Sequence, residues 1–299
     1  MVSAIITTHN RKNLLDRAIQ SVLNQTYKDI ELIVVSDGST DGTDEQMIKY
    51  ETDMRVKYIT YSPGRGGNYA RNTGIKAANG KYVAFLDDDD EWLPTKIEKQ
   101  VQKIESDSLI GIVYTGLKSI YVKEGVSYLQ AAGFEGDASI RILLGNVIGT
   151  TSTAMIKKEV LDKSGYFDEN LKALQDYDLW VRVCQVANIG FVNEPLINYY
   201  NLASANQVSD KTSLYEDSKK YIHNKYQSLY SKLSEAQIKT IESNDCIGLA
   251  KNCIRNGNSS KGRKYIIKAL RKKFSVVKLI YWLLSFLPFK YILKIRNLM

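Results

Sequence analysis

Over roughly the first two thirds of the chain, short apolar runs alternate with stretches in which apolar residues return every third or fourth position. The runs read as strands and the spaced stretches as helices. Ser3 to Thr7 is the first run, and Leu14, Leu15, Ala18, Ile19, Val22 and Leu23 follow at helical spacing. Ile30 to Val35 and Val56 to Tyr61 predict two more strands, the second leading into a helix over Tyr69 to Ala78. Tyr82 to Leu86, opened by the turn pair Asn79-Gly80 and by Lys81, is continuously apolar, as expected of a central strand of a parallel sheet covered on both faces. Gly111 to Thr115 predicts another strand, and Tyr114 to Leu129 a hairpin turning at Gly125. Gly145 to Ile156 ends in an apolar strand. Lys157 to Lys163 and Leu174 to Val183 read as helices, and Gly190 to Val192 and Leu196 to Tyr200 as short closing strands. Beyond about Asn206 only helical spacing remains. The expected architecture is α/β over residues 1–205, with a C-terminal α-helical region over 206–299 and the boundary in the polar segment Ser204 to Lys211.

The central apolar strand runs straight into Asp87-Asp88-Asp89-Asp90-Glu91. Open α/β sheets place ligands at the carboxyl ends of their strands. Adjacent carboxylates repel one another unless they are spread into water or gathered around a cation. Alternation at the strand tip sends Asp87 and Asp89 to one side and Asp88 and Asp90 to the other, which lets a pair of carboxylates share a hard metal ion. The competing reading is an acidic loop that caps the helix beginning near Pro94.

Other loops carry chemistry of the same kind. Thr7-Thr8-His9-Asn10-Arg11, after the first strand, combines hydroxyls, an imidazole and a guanidinium, which suits a nucleotide or phosphate and equally a helix cap with a surface arginine. Asp37, at the tip of the second strand, is placed to accept hydrogen bonds from a ribose or base, or to serve as a turn residue. Gly64-Arg65-Gly66-Gly67 before a helix suggests phosphate contact, with Arg65 or Arg71 supplying charge. The glycines lack dinucleotide spacing and follow the third strand, which counts against a nicotinamide-dependent dehydrogenase. Asp176 and Asp178 fall in the first turn of their helix, where the macrodipole alone favours acids.

Composition adds a compartment and a partner. The 299 residues are 44% hydrophobic and 25% charged, and the three cysteines lack zinc-type spacing, so a reducing, cytoplasmic location is expected. The first residues are too short an apolar run for a signal peptide. The net charge of +8 is unevenly spread: residues 246–299 hold 13 Lys and Arg and no acid, and the first 245 residues carry a net −5. Within that tail, Phe274 to Leu287 is an apolar run broken by Lys278 and stopped by Pro288, shorter than the roughly 20 residues a spanning helix needs. It reads as an interfacial segment on an anionic lipid leaflet, rather than a nucleic-acid site, or else as a helix that packs on the protein.

Taken in order, Thr7-Thr8-His9-Asn10-Arg11, Asn24-Gln25-Thr26, Val35-Ser36-Asp37-Gly38-Ser39-Thr40-Asp41, Ala70-Arg71-Asn72-Thr73-Gly74, Phe85-Leu86-Asp87-Asp88-Asp89-Asp90 and Gln175-Asp176-Tyr177-Asp178-Leu179-Trp180 resemble the family 2 glycosyltransferases with the GT-A fold. The resemblance implies a Rossmann-like nucleotide-binding sheet and a nucleotide-sugar site. In that site Thr7, His9 and Arg11 lie near base and ribose, Asp37 accepts from uracil or ribose, and Arg65 and Arg71 lie near base and diphosphate. Asp87-Asp88-Asp89 is the implied Asp-x-Asp motif, with Asp87 toward the ribose and Asp89 on Mn²⁺ or Mg²⁺. Asp176 is the implied catalytic base, and Gln175 and Trp180 are acceptor-side candidates, although a Trp at helical spacing with Leu179 and Val183 is more often core. Gln175 stands where the family commonly has Glu, and His9 where it more often has Tyr or Phe. The implied activity is metal-dependent, inverting transfer of a sugar from a nucleotide donor, such as a UDP-sugar, to a hydroxyl of a cell-surface glycan, the acceptor lipid-linked and the enzyme peripheral on the inner face of the membrane. A transferase extending protein-linked glycans, or a nucleotide-sugar-binding partner subunit without turnover, are the alternatives. His223 and the cysteines read as structural.

Overall fold

A computed structural model describes residues 1–130, 133–202 and 212–296, so the boundary expected between Ser204 and Lys211 lies outside the described residues. The chain opens with β1 (Val2–Thr8), α1 (Lys12–Leu23), β2 (Ile30–Asp37), α2 (Thr43–Met47), β3 (Val56–Tyr61), α3 (Gly67–Ala77) and β4 (Tyr82–Asp87). The two-residue β5 (Glu91–Trp92) and α4 (Lys96–Glu105) lead to the hairpin of β6 (Ile110–Tyr121) and β7 (Val126–Gln130), which turns at Gly125 with φ 63°. Next come α5 (Arg141–Leu144), β8 (Met155–Lys157), α6 (Lys158–Ser164), α7 (Gln175–Val183) and β9 (Asn188–Asn201), the last a single strand where two short ones were expected. The described C-terminal region is entirely helical: α8 (Thr212–Lys225), α9 (Gln227–Tyr230), α10 (Glu235–Arg255), α11 (Ser259–Lys272), α12 (Val276–Leu284) and α13 (Phe289–Arg296).

The strands form one sheet in the order β3-β2-β1-β4-β8-β6-β9-β5, with β7 paired to the C-terminal half of β6. β1 pairs in parallel with β2 and β4, and β2 with β3. The parallel part ends at β4, because β8 runs antiparallel to both β4 and β6. The reason lies in the approach: residues 151–153 form a 3₁₀ turn beside the carboxyl end of β4, so β8 starts at that end. A parallel neighbour would need a crossover returning the chain to the opposite edge. β4 is therefore central, as expected, and its acidic tip borders a hydroxyl-rich turn.

Alternation along the strands fills both faces. Ile5, Ile33, Val83 and Phe85 face α3 and α7 on one side, with Ala70, Ile75, Leu179 and Trp180 in the same core. Ala4, Ile6, Leu32, Ala84 and Leu86 face α1 and α4 on the other, with Leu15, Ile19, Ile97 and Val101. A third, smaller core of Ala250, Ile254, Ile266 and Ile292 joins α10, α11 and α13.

α10 begins at a capping box in which Ser234 and Gln237 satisfy each other's backbone N–H. Asn244 Nδ2 donates to the Leu144 carbonyl at 2.8 Å, and α8 is tied to α7 by Lys225 Nζ and the Tyr226 hydroxyl on buried Asp178, at 2.9 and 2.7 Å. α13 returns to the hairpin, where Phe289 meets Tyr121 edge-on with ring centroids 5.6 Å apart. Eight-residue helices are marginal alone, and burial of Ile292 and Leu293, about 1.5–3 kcal/mol each, holds α13 in place. α12 buries no residue fully. Its Lys278 turns inward to Ser243 Oγ at 2.6 Å, whereas Val276, Val277 and Leu283 are 62%, 69% and 57% exposed. Among the described residues no helix is long and apolar enough to cross a membrane.

Candidate active site

The carboxyl ends of β1, β2 and β4 open onto a cleft of about 970 Å³ that α7, α8, α10 and α13 also line. Thr7, His9, Arg11, Asp37, Arg71, Asp87, Asp88, Asp89, Gln175 and Asp176 all border it, so most of the residues singled out from the sequence converge. Arg65 and Trp180 are not among its lining residues.

The loop after β2 is built around Asp37. Gly38 has φ 68°, and a Cβ there would stand 2.5 Å from the Gly64 nitrogen, so two glycines let the loops after β2 and β3 touch. That contact brings the N–H groups of Arg65 and Gly66 onto Asp37 Oδ1 and Oδ2 at 2.6 and 2.8 Å. Asp37 thus already clamps the neighbouring loop, and only its remaining acceptor capacity faces the cleft. His9 Nδ1 lies 2.6 Å from the Asp37 carbonyl oxygen, which fixes the imidazole against the same loop. The Arg65 guanidinium stacks on the Tyr69 ring at 3.6 Å and serves the loop through its backbone.

The acidic run does not alternate as a continued strand would. β4 ends at Asp87, the chain turns, and Asp88 and Asp89 lie together: Arg11 Nη1 donates to Asp88 Oδ1 at 3.0 Å and to Asp89 Oδ2 at 3.2 Å. Burial works against the Arg11 charge, but the two carboxylates outweigh it and raise its pKa. Asp87 takes Arg71 Nη2 at 2.7 Å on one oxygen and Thr151 Oγ1 at 3.1 Å on the other. Asp90 leaves the cleft altogether. Its Oδ2 accepts from Ser152 Oγ at 2.7 Å, its Oδ1 from the Tyr200 N–H at 3.2 Å, and burial first, then Asp87 and Asp89, push its pKa well up. Arg17 Nη2 donates to the Asp89 carbonyl at 2.6 Å while stacking on Tyr200 at 3.8 Å, which braces the turn carrying Asp88 and Asp89.

Leu174 precedes α7 in the left-handed region, φ 59°, a conformation rare for Leu. It swings the first turn of α7 so that its two acids part. Asp178 points into the protein, where Arg182, Lys225 and Tyr226 hold it. Asp176 faces the cleft, accepts from the Tyr177 N–H at 2.7 Å, and is pushed up to about 6 by burial, with nearby Asp87 adding to the shift. Trp180, fully buried, donates its indole N–H to the Gly149 carbonyl at 3.0 Å, so of its two readings the core one holds and it cannot stack on an acceptor. His223 lies against Tyr230 and Asp245, away from the acids.

No three His, Cys, Asp or Glu side chains converge as a ready metal cage among the described residues. A hard divalent ion is commonly held by one or two carboxylates with the remaining positions filled by water and substrate phosphate, and the oxygens of Asp88 and Asp89 at the cleft wall fit that donor set.

The family model described as "Glycosyl transferase family 2" matches residues 3–165, more than half of the sequence. The chain belongs to glycosyl transferase family 2. Among its relatives is an uncharacterised glycosyltransferase of Rickettsia prowazekii, 36% identical over 225 residues that make up 73% of this chain and 70% of the relative. Another is an Escherichia coli enzyme named UDP-Glc:alpha-D-GlcNAc-diphosphoundecaprenol beta-1,3-glucosyltransferase, 30% identical and covering 70% of this chain and 80% of its own length. The fold of this family 2 transferase is also that of S. aureus TarS 1–349 in complex with UDP-GlcNAc, with a TM-score of 0.60, 17% identity and coverage of 94% of this chain and 91% of the other. A Pyrobaculum calidifontis mannosyltransferase in complex with GDP-Man and Mn²⁺ superposes with a TM-score of 0.57 at 13% identity, over 99% and 86% of the two chains. Asp176 lies beyond the residues the family model matches, as do all the helices that close the cleft. Those helices bring Lys251, Arg255, Tyr281 and Arg296 to the cleft, residues that motif reading passed over. The available signal was the 3.6-residue spacing of Lys251 and Arg255 within an acid-free tail.

Proposed function

We propose that this protein is a metal-dependent, inverting glycosyltransferase that moves one sugar from a UDP-sugar to a hydroxyl of a lipid-linked glycan at the cytoplasmic face of the membrane. The observation that carries the reading is Asp176, an acid held with a pKa of about 6 on the floor of the cleft that also contains Arg71, Asp88 and Asp89. A general base works best when its pKa lies close to the operating pH.

In this reading the loops bearing Thr7, His9 and Asp37 receive the nucleoside, and Arg11 and Arg71 meet the diphosphate as a Mn²⁺ or Mg²⁺ ion would on Asp89. That ion supplies Lewis-acid stabilisation of the charge left on the diphosphate. Asp176 takes the proton of the acceptor hydroxyl. Its oxygen forms the new bond to the anomeric carbon from the face opposite the diphosphate, and the bond from that carbon to the diphosphate breaks. Gln175, beside Asp176, orients the acceptor through its amide. The diphosphoundecaprenol acceptor in the E. coli relative's name supports a lipid-linked acceptor here, and the exposed apolar side of α12 with the acid-free tail supports attachment to an anionic leaflet.

The test is UDP release from a panel of UDP-sugars with Mn²⁺, with and without membrane lipid extracts as acceptor. Acceptor-stimulated release from one donor is expected. Release from none, together with intact UDP binding, would favour a nucleotide-sugar-binding partner subunit.

A further inference from the structure

The wall facing Asp176 has a chemistry of its own. Lys251 and Arg255 share one face of α10, being four residues apart, and Arg296 comes from the last turn of α13; all three reach the cleft. Arg296 is held in place, stacked on the Tyr128 ring at 4.2 Å and donating to its hydroxyl at 3.0 Å. Lys251 makes no ion pair or hydrogen bond among the described residues. Its side chain is exposed to the cleft, and its pKa is lowered by partial desolvation first and by the charge of Arg296 second, with no carboxylate offsetting either. None can come from the local chain, since residues 246–299 contain no acid. Cations gathered where desolvation and mutual repulsion both oppose them are relieved by an anion that binds between them.

We infer that Lys251, Arg255 and Arg296 form the subsite for the diphosphate of the acceptor, with Tyr121, Tyr281 and Phe289 beside it receiving the first units of the attached lipid. This rests on the glycosyltransferase reading above and adds to it the acceptor's anionic group. The donor also carries a diphosphate, but Arg11 and Arg71, paired with the acids of the β4 tip, stand at the strand ends to meet it. A cleft of about 970 Å³ is at the top of the range for a single small ligand and leaves room for two substrates. The wall is also continuous with the apolar surface: α13 follows α12 after Pro288, and Leu283 and Phe286, on and just beyond α12, are 57% and 59% exposed. A prenyl chain lying in a leaflet against α12 would carry its diphosphate to this wall and its sugar on toward Asp176.

Calorimetry on the full chain, in one Mn²⁺-containing buffer, separates the two sources of diphosphate with three probes: UDP, farnesyl diphosphate and farnesol. Farnesyl diphosphate is expected to bind protein already saturated with UDP, and farnesol to bind at least about tenfold more weakly, as loss of charge-assisted hydrogen bonds implies. Lys251→Gln is expected to weaken farnesyl diphosphate at least about tenfold and leave UDP within about twofold. Lys251 has no partner among the described residues to lose, so an unchanged melting temperature serves as the folding control. Arg296→Gln provides a second variant with the same expectation. Competition between farnesyl diphosphate and UDP on the native protein, or an equal loss of UDP affinity in Lys251→Gln, would assign the wall to the donor and overturn the inference. Unaltered farnesyl diphosphate affinity in the variant, or farnesol binding as well as its diphosphate, would overturn an anion subsite of either kind. None of these readouts needs turnover, so their failure is distinct from failure to transfer sugar.

Discussion

The two walls of the cleft are built on opposite plans. The strand ends, together with the first turn of α7, contribute five carboxylates, Asp37, Asp87, Asp88, Asp89 and Asp176. All five are held by hydrogen bonds from arginines, a hydroxyl or backbone N–H groups 2.6–3.2 Å away. Among the described residues, the wall made by α10 and α13 contributes three cations and no acid, and Lys251 makes no ion pair or hydrogen bond there. A wall whose groups already satisfy one another is organised before substrate arrives, as electrostatic preorganisation requires. A wall left with excess charge of one sign is completed by its ligand. The comparison teaches that the carboxylate-rich side of the cleft is placed by loops at strand ends, which are short and local, and that the cationic side is left to helices far along the chain.

The strongest way to break this contrast is at Asp176. Asp176→Asn keeps the shape and removes the proton acceptor, so kcat should fall about 10²–10⁴-fold with UDP affinity unchanged. Steady-state UDP release and UDP titration check it, and a collapse of UDP affinity would make Asp176 a donor-binding or structural residue. Asp89→Ala removes an anionic oxygen and frees Arg11 from half of its bridge. Turnover should drop at least about 100-fold, and UDP binding should lose its dependence on Mn²⁺. Retention of metal-dependent binding would move the ion elsewhere on the sheet wall.

The pH profile sharpens the role of Asp176 without a mutation. Its carboxyl is raised to about 6 and must be ionised to take a proton, so activity at saturating donor should rise with pH. Between pH 5 and pH 7 the ionised fraction grows about tenfold, and the rate should follow with an apparent pKa near 6. A flat profile over that interval would argue against a base of this kind.

Gly38→Ala tests whether the sheet wall is organised by its loops. The added methyl meets the Gly64 backbone at 2.5 Å and forces a residue with φ 68° into a region costly for Ala. About 1–3 kcal/mol of destabilisation is expected, a fall of several degrees in melting temperature with UDP binding weakened in step. An unaltered melting temperature would show that the Asp37 clamp is dispensable. The smallest effect is expected at the outer edge of the helical wall. Val277→Gln with Leu283→Gln should reduce co-sedimentation with phosphatidylglycerol vesicles a few-fold while leaving the fold intact, and raised salt should weaken attachment of the native chain. Equal binding by the double variant would leave α12 as a surface helix only.

What could be read from the sequence follows a physical rule. Strands, their order of appearance and the loops at their ends are specified by runs of five to ten residues, so the α/β class, the acidic tip of β4 and the convergence of Thr7, His9, Arg11, Asp37 and Arg71 were all legible. The hydrophobic pattern of a strand also sets which side chains meet the core. Pattern could not say where one acid stops and the next begins to act. Asp87 to Asp90 read as an alternating pair of pairs. A turn after Asp87 and the buried hydroxyl of Ser152, 62 residues onward, instead draw Asp90 into the interior and leave Asp88 and Asp89 side by side on Arg11.

The same holds at α7. Its first turn offers Asp176 and Asp178 on equal terms, and Lys225 at the end of α8 and Tyr226 just beyond it decide between them by taking Asp178. Trp180, amphiphilic and one helical turn from Asp176, reads locally as a sugar platform or as core, and the packing of α7 on the sheet settles it as core. The tail shows the limit most plainly. Its charge and apolar run pointed to a membrane surface or a packing helix, and α12 does pack through Lys278 while leaving Val277 and Leu283 bare. Spacing puts Lys251 and Arg255 on one helix face, but nothing within 246–299 says that this face and Arg296 border the same cleft as Asp176. Charge is a property of the residue, whereas its address is set by contacts between segments a hundred or more residues apart, such as Arg296 with Tyr128 and Asn244 with Leu144, and those exist only once the chain has folded.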